Sequence, residues 1–423
     1  MSGFRRRTRP DAFDEVGLTI PLDVLSSNLK PDRQTLLEIL SGLSRDDTLL
    51  MCARLNTVVS GLNAEFTNGQ QRALAFICND EEIKKIGDFA KQHGGEARVV
   101  PFFRGQLLEL IRYVAKYCGN LPDDGNTFQD PEVRSRFVKA ALIAAQLWSD
   151  RVYGTRLSDH ENVEVARVRT LGAFRKGVEE SNAAPFIGQL LGRGVFLFLT
   201  YFPLRYPNFH DEFVTASRLT PEEFFNCTAA MSFLTISDRS GSPIFNREGM
   251  GTRTAYRELI PKYLKMESQD PEALRQSLWT NFEQIGSRAI RERPILSLED
   301  GRSIIIDPTF FNEKLSVGLL FALLRNAEKS KANEIFGAFG LAFEDYAIDI
   351  LKRMYPHTGT LARRFSWNIK GRDQNGRALE IDAVVNDVKQ IVVFEMKAAW
   401  LQTVISWVES LRTQWVEMAS RNW

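Results

Sequence analysis

The sequence predicts a multidomain protein with a mainly α-helical N-terminal region followed by a C-terminal α/β region. Apolar residues recur at three- and four-residue spacings through residues 31–284, which is the period of helices. Only residues 97–101 hint at a strand there, whereas short β-type runs are frequent after residue 290. A chain of 423 residues with 44% hydrophobic content suffices for roughly two to four packed domains, which excludes wholesale disorder.

Residues 1–20 are predicted to form a flexible basic arm. Arginines occupy positions 5, 6, 7 and 9, but Pro10 and Asp11 follow where a signal peptide would have its apolar segment. We therefore expect no secretion. A disordered basic tail and an arm that grasps DNA both fit this composition.

The charge and the cysteine content of the chain indicate its cellular compartment and the kinds of partner that it could bind. With 54 Lys and Arg against 53 Asp and Glu, the formal net charge is +1, so nucleic acid would need a local basic patch. The cysteines have neither C-x-x-C nor Cys/His spacing, which argues against disulfides and zinc and favours a reduced, cytoplasmic protein. They are Cys52, Cys78, Cys118 and Cys227.

The most membrane-like segment is residues 186–202. It contains Gln189 and Arg193, lies between Pro185 and Pro203, and falls short of about 20 apolar residues. We predict a buried core helix and no membrane association.

Residues 21–289 are predicted to form a helical domain for recognition or assembly, with apolar stripes in residues 106–117 and 132–148 as examples. A solenoid and a compact bundle remain alternatives. The glycine-rich stretch at residues 188–194 lacks the Gly-Lys-Ser/Thr ending and the preceding strand of a phosphate loop, so we predict no ATPase.

A β-hairpin and helix connector is predicted over residues 290–331. Residues 294–298 and 303–307 are short β-type runs joined by a turn sequence, and helical periodicity resumes over residues 310–325. We place a domain boundary just before this hairpin.

Residues 332–423 are predicted to form the α/β domain. A helix over residues 333–354 precedes β-type segments at residues 363–369, 378–385 and 390–397, and an amphipathic helix is expected over residues 399–420. The order is therefore helix, strand, strand, strand, helix.

The residues that carry chemistry are Asp382 and, after a spacer of twelve residues, Glu395 and Lys397. In a strand, Glu395 and Lys397 share one face while Phe394 points to the other, and an antiparallel turn brings Asp382 within reach of Glu395. Mg²⁺ takes oxygen ligands, uses one or two carboxylates and leaves positions for water and phosphate. We therefore expect Asp382 and Glu395 to hold Mg²⁺ or Mn²⁺ and Lys397 to orient a metal-bound water.

These residues resemble the PD-(D/E)XK nuclease superfamily, which has the restriction-endonuclease-like fold, over residues 332–423 alone. Residues 336–346 look like the family's first core helix, whose glutamate approaches the metal site and corresponds to Glu344. The resemblance also implies a fourth strand after residue 423; we expect a longer chain, a partner or an upstream segment to supply it.

Helical periodicity gives a separate expectation for this helix. Phe343, Ala347, Ile350 and Met354 would form its buried stripe, with Glu344 at the edge of that stripe. Asp345 and Asp349 would face outward near Lys352.

Basic residues surround the motif, with Asp373 as the one acid among them, and we expect them to contact nucleic-acid phosphates. The candidates are Arg363, Arg364, Lys370, Arg372 and Arg377. Trp367 lies between them, where a core position and stacking on a base are the alternatives.

The function expected from the sequence is that of a metal-dependent endonuclease that hydrolyses phosphodiester bonds, with DNA as substrate by analogy to the superfamily. The combination with a large helical domain suggests defence against viruses or plasmids and assembly as a homo-oligomer or with a partner protein. The alternative is a scaffold or sensor subunit whose nuclease domain is latent until a partner or ligand activates it.

Overall fold

The computed structural model describes the chain in thirteen segments. These are residues 20–59, 66–92, 102–119, 127–153, 187–237, 244–246, 254–279, 288–298, 301–325, 327–356, 365–372, 378–387 and 390–394. The described part is mainly helical and has small sheets toward its C-terminal end, as the sequence predicts.

The chain divides into two compact units, and neither is continuous in sequence. The first comprises Met1–Ile187 and Cys227–Lys314, and the second comprises Gly188–Asn226 and Leu315–Trp423. These units differ from the predicted domains, because residues 290–314 belong with the N-terminal helices and residues 188–226 with the C-terminal region.

Helices dominate the first unit. α1, α2 and α6 pack against α5, in which every residue from Arg104 to Ala115 is buried. The helices are α1 Arg33–Ser41, α2 Arg45–Val59, α3 Phe66–Ile77, α4 Asp80–Gln92, α5 Arg104–Tyr117 and α6 Pro131–Tyr153. The 3₁₀ turns Leu22–Val24 and Thr127–Gln129 lie before α1 and α6.

A four-stranded sheet also belongs to the first unit. The predicted hairpin is present as β3 Ile295–Ser297 and β4 Arg302–Ile305, an antiparallel pair. Two further strands, β1 Ile244–Asn246 and β2 Ser268–Gln269, flank it in the order β1-β4-β3-β2, with β2 parallel to β3. The sequence analysis missed β1 and β2, since strands of three and two residues are too short to show alternation.

Buried charges lie beside this sheet. The guanidinium of Arg104 donates to both carboxylate oxygens of Asp307 at 2.8 Å, and both side chains are fully buried. Asp307 also accepts from Asn56 and from the backbone N–H of Phe310, which caps the next helix. Lys314 and Glu267 form a second fully buried pair at 2.7 Å.

The remaining described helices are distributed over both units. They are α7 Ile187–Phe196, α8 Phe202–Arg205, α9 Phe209–Ser217, α10 Pro221–Ser237, α11 Thr254–Arg257, α12 Leu259–Glu267, α13 Pro271–Trp279, α14 Arg288–Glu292, α15 Pro308–Leu324 and α16 Lys329–Met354. A π-helical turn, Leu197–Tyr201, joins α7 to α8.

In the second unit, the continuous helix Ile187–Arg205 packs one face against α16. Phe198 and Phe202 are buried there, and their rings lie 5.7 and 6.3 Å from the ring of Phe339. By length and composition alone, this is the one helix of the described part that could cross a membrane, and 33% of its apolar window is buried. The predicted core helix is therefore buried on one face, whereas Leu204 on another is 74% exposed.

The predicted buried stripe of α16 is wrong. Ile350 and Met354 are 38% and 57% exposed. The buried residues are Ile335, Ala338, Phe339, Ala342 and Ile348. The cause is a packing partner, α7–α8, that helical periodicity does not identify.

The three-stranded antiparallel sheet β5-β6-β7 follows α16 in the second unit. Its strands are β5 Phe365–Arg372, β6 Ala378–Asp387 and β7 Gln390–Phe394. The predicted order of a helix and then three strands is thus present in the described residues.

Candidate active site

β6 is the middle strand, and it carries Asp382. Its pairing with β5 includes Trp367 with Ala383 and Ile369 with Ile381. Its pairing with β7 runs from Asp387 with Gln390 to Ala383 with Phe394. Asp382 is therefore the next residue of β6 beyond the last described pair with β7.

Strand alternation separates Asp382 from the apolar side of the sheet. Ala383 and Val385 are buried with Phe365 and are packed by Leu351 and Tyr355 of α16 and its C-cap. Successive residues of a strand point to opposite faces, so Asp382 lies on the other face. Asp382 is half-buried on that face.

Glu344 lies near the middle of α16 and is half-buried. The neighbouring Asp345 accepts two hydrogen bonds from Arg205, at 2.6 Å to Nε and 2.9 Å to Nη2. Asp345 raises the pKa of the Arg205 guanidinium, and the charge of Glu344 adds to this effect. Glu344 therefore experiences the positive charge of Arg205.

The structure does not bring the predicted site together: Glu395 and Lys397 lie outside the described residues, and Asp382 lies on the face of the sheet opposite to the one that Leu351 of α16 packs against. Glu344 and Asp382 are described, and both have carboxylate oxygens, the ligand type that Mg²⁺ prefers. Among the residues that the structure describes, no three Asp, Glu, His or Cys side chains form a group that could hold a metal ion.

The predicted DNA-contacting residues are described in part. Lys370 lies on β5 and is exposed. Arg372 is in the same strand, but its side chain lies outside the described part. The other three candidates, Arg363, Arg364 and Arg377, also lie outside it.

An aromatic row on β5 is a feature that the sequence analysis found only in part. The ring of Phe365 stacks against Tyr355 at 6.3 Å and against Trp367 at 5.4 Å. The ammonium of Lys352 lies 4.6 Å from the centre of the Trp367 ring. Because Trp367 is half-buried in this row, its main role in the fold is packing.

A polar cluster between α7–α8 and α16 was predicted only in part, since Asp349 was expected near Lys352 but not beside α7–α8. Tyr201 donates a hydrogen bond of 2.7 Å to Asp349, whose other oxygen lies 3.6 Å from Lys352. Asp345 and Asp349, which were expected to face outward, instead bind Arg205 and Tyr201. The partners of Asp345 and Asp349 lie about 140 residues earlier in the chain. The spacing of residues in a sequence does not reveal pairs so far apart, so these contacts could not be predicted.

Asn368 has an unusual backbone for a strand residue, with φ at 50°. It lies in β5 between Trp367 and Ile369, whose partners on β6 are Ala383 and Ile381. By position, Asn368 therefore faces Asp382 across the ladder.

Comparison with known proteins identifies no relative: no protein-family model matches the chain, and neither does any curated protein or solved structure.

Proposed function

We propose that the protein is a metal-dependent endonuclease of the PD-(D/E)XK type. The observation that carries the proposal is the position of Asp382 on the central strand of an antiparallel sheet that follows the helix of Glu344. This is the element order in which the motif would function. Glu395 would be the second carboxylate of the motif, and Lys397 would be its lysine.

The strand register supports the pairing of the two motif carboxylates. Ala383 pairs with Phe394, Asp382 precedes Ala383, and Glu395 follows Phe394 in the sequence. Antiparallel residues that face each other have Cβ atoms about 4.5–5.5 Å apart, which suits two carboxylates that share one cation. One further step of the same register would therefore place Glu395 opposite Asp382.

Each proposed residue has a distinct role. Asp382 and Glu395 would hold Mg²⁺ or Mn²⁺, which when bound activates water and neutralises charge on the phosphate. Lys397 would orient the attacking water and offset the developing negative charge. Lys370 and its basic neighbours would hold the nucleic-acid backbone, where each Lys or Arg neutralises a phosphate.

DNA is the proposed substrate because the family that the motif resembles acts mostly on DNA. The test is cleavage of plasmid and linear DNA, with RNA in parallel, in Mg²⁺, Mn²⁺ or EDTA. We expect metal-dependent cutting that Lys397→Ala reduces about 10²- to 10⁴-fold, the usual loss when a group that handles the catalytic proton is removed. Asp211→Asn is the control, because Asp211 is a 95% exposed carboxylate in the same unit.

Two outcomes would redirect the proposal. Cleavage at the wild-type rate by Lys397→Ala would show that the catalytic residues are not the ones proposed. No cleavage with any metal, together with binding of DNA or of another protein, would favour the scaffold or sensor function.

A role in defence against viruses or plasmids is the proposed biological setting. It follows from joining a nuclease to a large helical unit. Phage plating on cells with the wild-type gene, the Lys397→Ala gene or an empty vector tests it, and equal plaque counts on all three would contradict it.

A further inference from the structure

Exposed apolar side chains are concentrated in the second unit. Among the described residues, every exposed large hydrophobic side chain except those of Ile83 and Phe233 belongs to this unit, although it is the shorter of the two. Two of them, Phe196 and Leu204, lie on the helix Ile187–Arg205 and are 48% and 74% exposed. A single exposed apolar residue is ordinary, but contiguous ones mark a surface that binds another molecule.

One outer face of this helix carries both residues. It consists of exposed side chains four positions apart with half-buried ones beside them: Phe196, Leu199, Thr200, Pro203 and Leu204. The opposite side is buried, since Phe198 and Phe202 pack against Phe339 of α16. Because the π-helical turn Leu197–Tyr201 has more residues per turn than an α-helix, residues four apart across it lie nearly in line. The outer face is therefore a straight stripe about 12 Å long.

The pattern of the outer face is the same in both directions along the helix. Phe196 and Leu204 lie four residues to either side of Thr200. When two copies of the helix lie antiparallel with their Thr200 residues together, Phe196 of each copy faces Leu204 of the other. Such a two-fold arrangement uses one surface patch twice, as most homodimers do.

The charges near the two ends of the outer face agree with an antiparallel copy. The helix has no acidic residue, and the exposed Arg193 lies toward its N-terminal end. Asp211, in the first turn of α9, is 95% exposed. Antiparallel pairing about Thr200 brings Arg193 of one copy opposite position 207 of the other, four residues before Asp211. A bilayer surface matches less well, because an interfacial helix is rich in Lys and Arg, and Arg205 already binds Asp345.

We propose that the outer face of the helix Ile187–Arg205 is a self-association surface, on which a second copy of this chain packs antiparallel with Thr200 on the two-fold axis. Phe196 of each copy packs against Leu204 of the other, which removes the exposed apolar side chains from water. The proposal does not depend on the nuclease function. Because the stripe is short, the contact is small and gives a weak dimer whose population rises with concentration.

Sedimentation equilibrium of the full chain over about 1–100 µM, the range in which weak complexes dissociate, measures this association. The mass of wild type should rise from that of one chain toward that of two. Leu204→Glu buries an unpaired charge in the contact and should weaken association at least about 10-fold. Met354→Glu is the matched control, because it puts the same charge on a 57% exposed apolar residue of α16, and it should associate as wild type does. If circular dichroism shows that Leu204→Glu does not fold, Thr200→Arg provides the same test, since the two arginines would meet at the axis.

Cysteine cross-linking tests the antiparallel register. The native thiols are buried, so a short bismaleimide reports on thiols introduced at the surface. Thr200→Cys should cross-link with itself. An equal mixture of Phe196→Cys and Leu204→Cys should cross-link to a greater extent than either variant alone, because each position faces the other.

Four results would overturn the proposal. The first is a wild type that stays a single chain at every concentration. The second is a dimer that Leu204→Glu and Met354→Glu weaken equally or not at all. The third is cross-linking of Phe196→Cys and of Leu204→Cys each with itself but not with each other, which indicates parallel helices. The fourth is binding of single-chain wild type to lipid vesicles that Leu204→Glu abolishes, which would assign the outer face to a membrane surface.

Discussion

The hydroxyl of Tyr201 donates a hydrogen bond of 2.7 Å to Oδ2 of Asp349 and thereby joins the π-helical turn to the C-terminal half of α16. One helical turn before Asp349, Asp345 binds Arg205 through two hydrogen bonds. α16 is thus held on the side next to Glu344 by two polar contacts. The orientation of α16 therefore depends on residues about 140 positions upstream.

The Tyr201 contact predicts a pH-dependent contribution to stability. Burial and the neighbouring Asp349 raise the pKa of Tyr201 from 10.0 to about 12. Between these values the folded state retains a proton that the unfolded state has lost, so this contribution is complete below pH 10 and disappears as the pH rises toward 12. Tyr201→Phe should lower the free energy of unfolding by about 1 kcal/mol at pH 8.

Urea denaturation of wild type and Tyr201→Phe at pH 8 and pH 11.5 checks this. The difference between the two proteins should shrink at the higher pH. An equal difference at both pH values would contradict the assigned contact.

The glycines of α7 provide a matched pair of substitutions. A Cβ at Gly194 would lie 1.8 Å from the carbonyl oxygen of Leu315, whereas a Cβ at Gly192 would meet nothing within 4 Å. Gly194→Ala should therefore destabilise the protein by at least about 2 kcal/mol, as overpacking does. Gly192→Ala should stabilise it by about 0.5–1 kcal/mol, because alanine favours the helix.

Chemical denaturation of both variants measures these changes. A Gly194→Ala variant as stable as wild type would mean that α7 and α15 do not approach each other this closely.

The buried ion pair of Arg104 and Asp307 predicts that a substitution of similar size causes a large loss of stability. Asp307→Asn keeps the shape of the side chain but removes the buried carboxylate charge that binds the Arg104 guanidinium, which costs about 3–5 kcal/mol. Arg136→Ala, which removes an exposed pair with Glu132, should cost less than about 0.5 kcal/mol. Urea denaturation measures the free energy of unfolding of both variants. Equal losses of stability would contradict the burial of the Arg104–Asp307 pair.

The cysteines should be unreactive in the folded protein. All four are free and buried, and burial raises the pKa of both Cys78 and Cys118 to about 12. A thiol-specific reagent at pH 8 should label none of them until guanidinium unfolds the chain, because the thiolate is the reactive form. Rapid labelling of two or more thiols in the native protein would contradict this burial.

Local patterns predicted the order of the C-terminal elements well. The helix expected over residues 333–354 is Lys329–Met354, and the strand expected over residues 378–385 is Ala378–Asp387. These segments are long, have clear periods and are bounded by turn residues, so neighbouring residues are enough to define them.

Long-range packing could not be predicted in the same way. The spacing of apolar residues in α16 is compatible with several faces, and the face that Phe198, Phe202 and Tyr201 cover is set by a segment about 140 residues earlier. For the same reason the membership of residues 188–226 in the second unit was not foreseen. At the candidate site, the sequence predicted Asp382 on a strand, but a positive φ at Asn368 has no signal beyond the residue type.

The most direct test of the account is the single-turnover rate of Mg²⁺-dependent DNA cleavage by wild type and by Asp382→Asn, with folding checked by circular dichroism. The substitution keeps the size of the side chain and removes the metal-binding charge. The account predicts that wild type cuts and that Asp382→Asn is at least about 10²-fold slower. Equal rates in two folded proteins would show that Asp382 does not hold the catalytic metal.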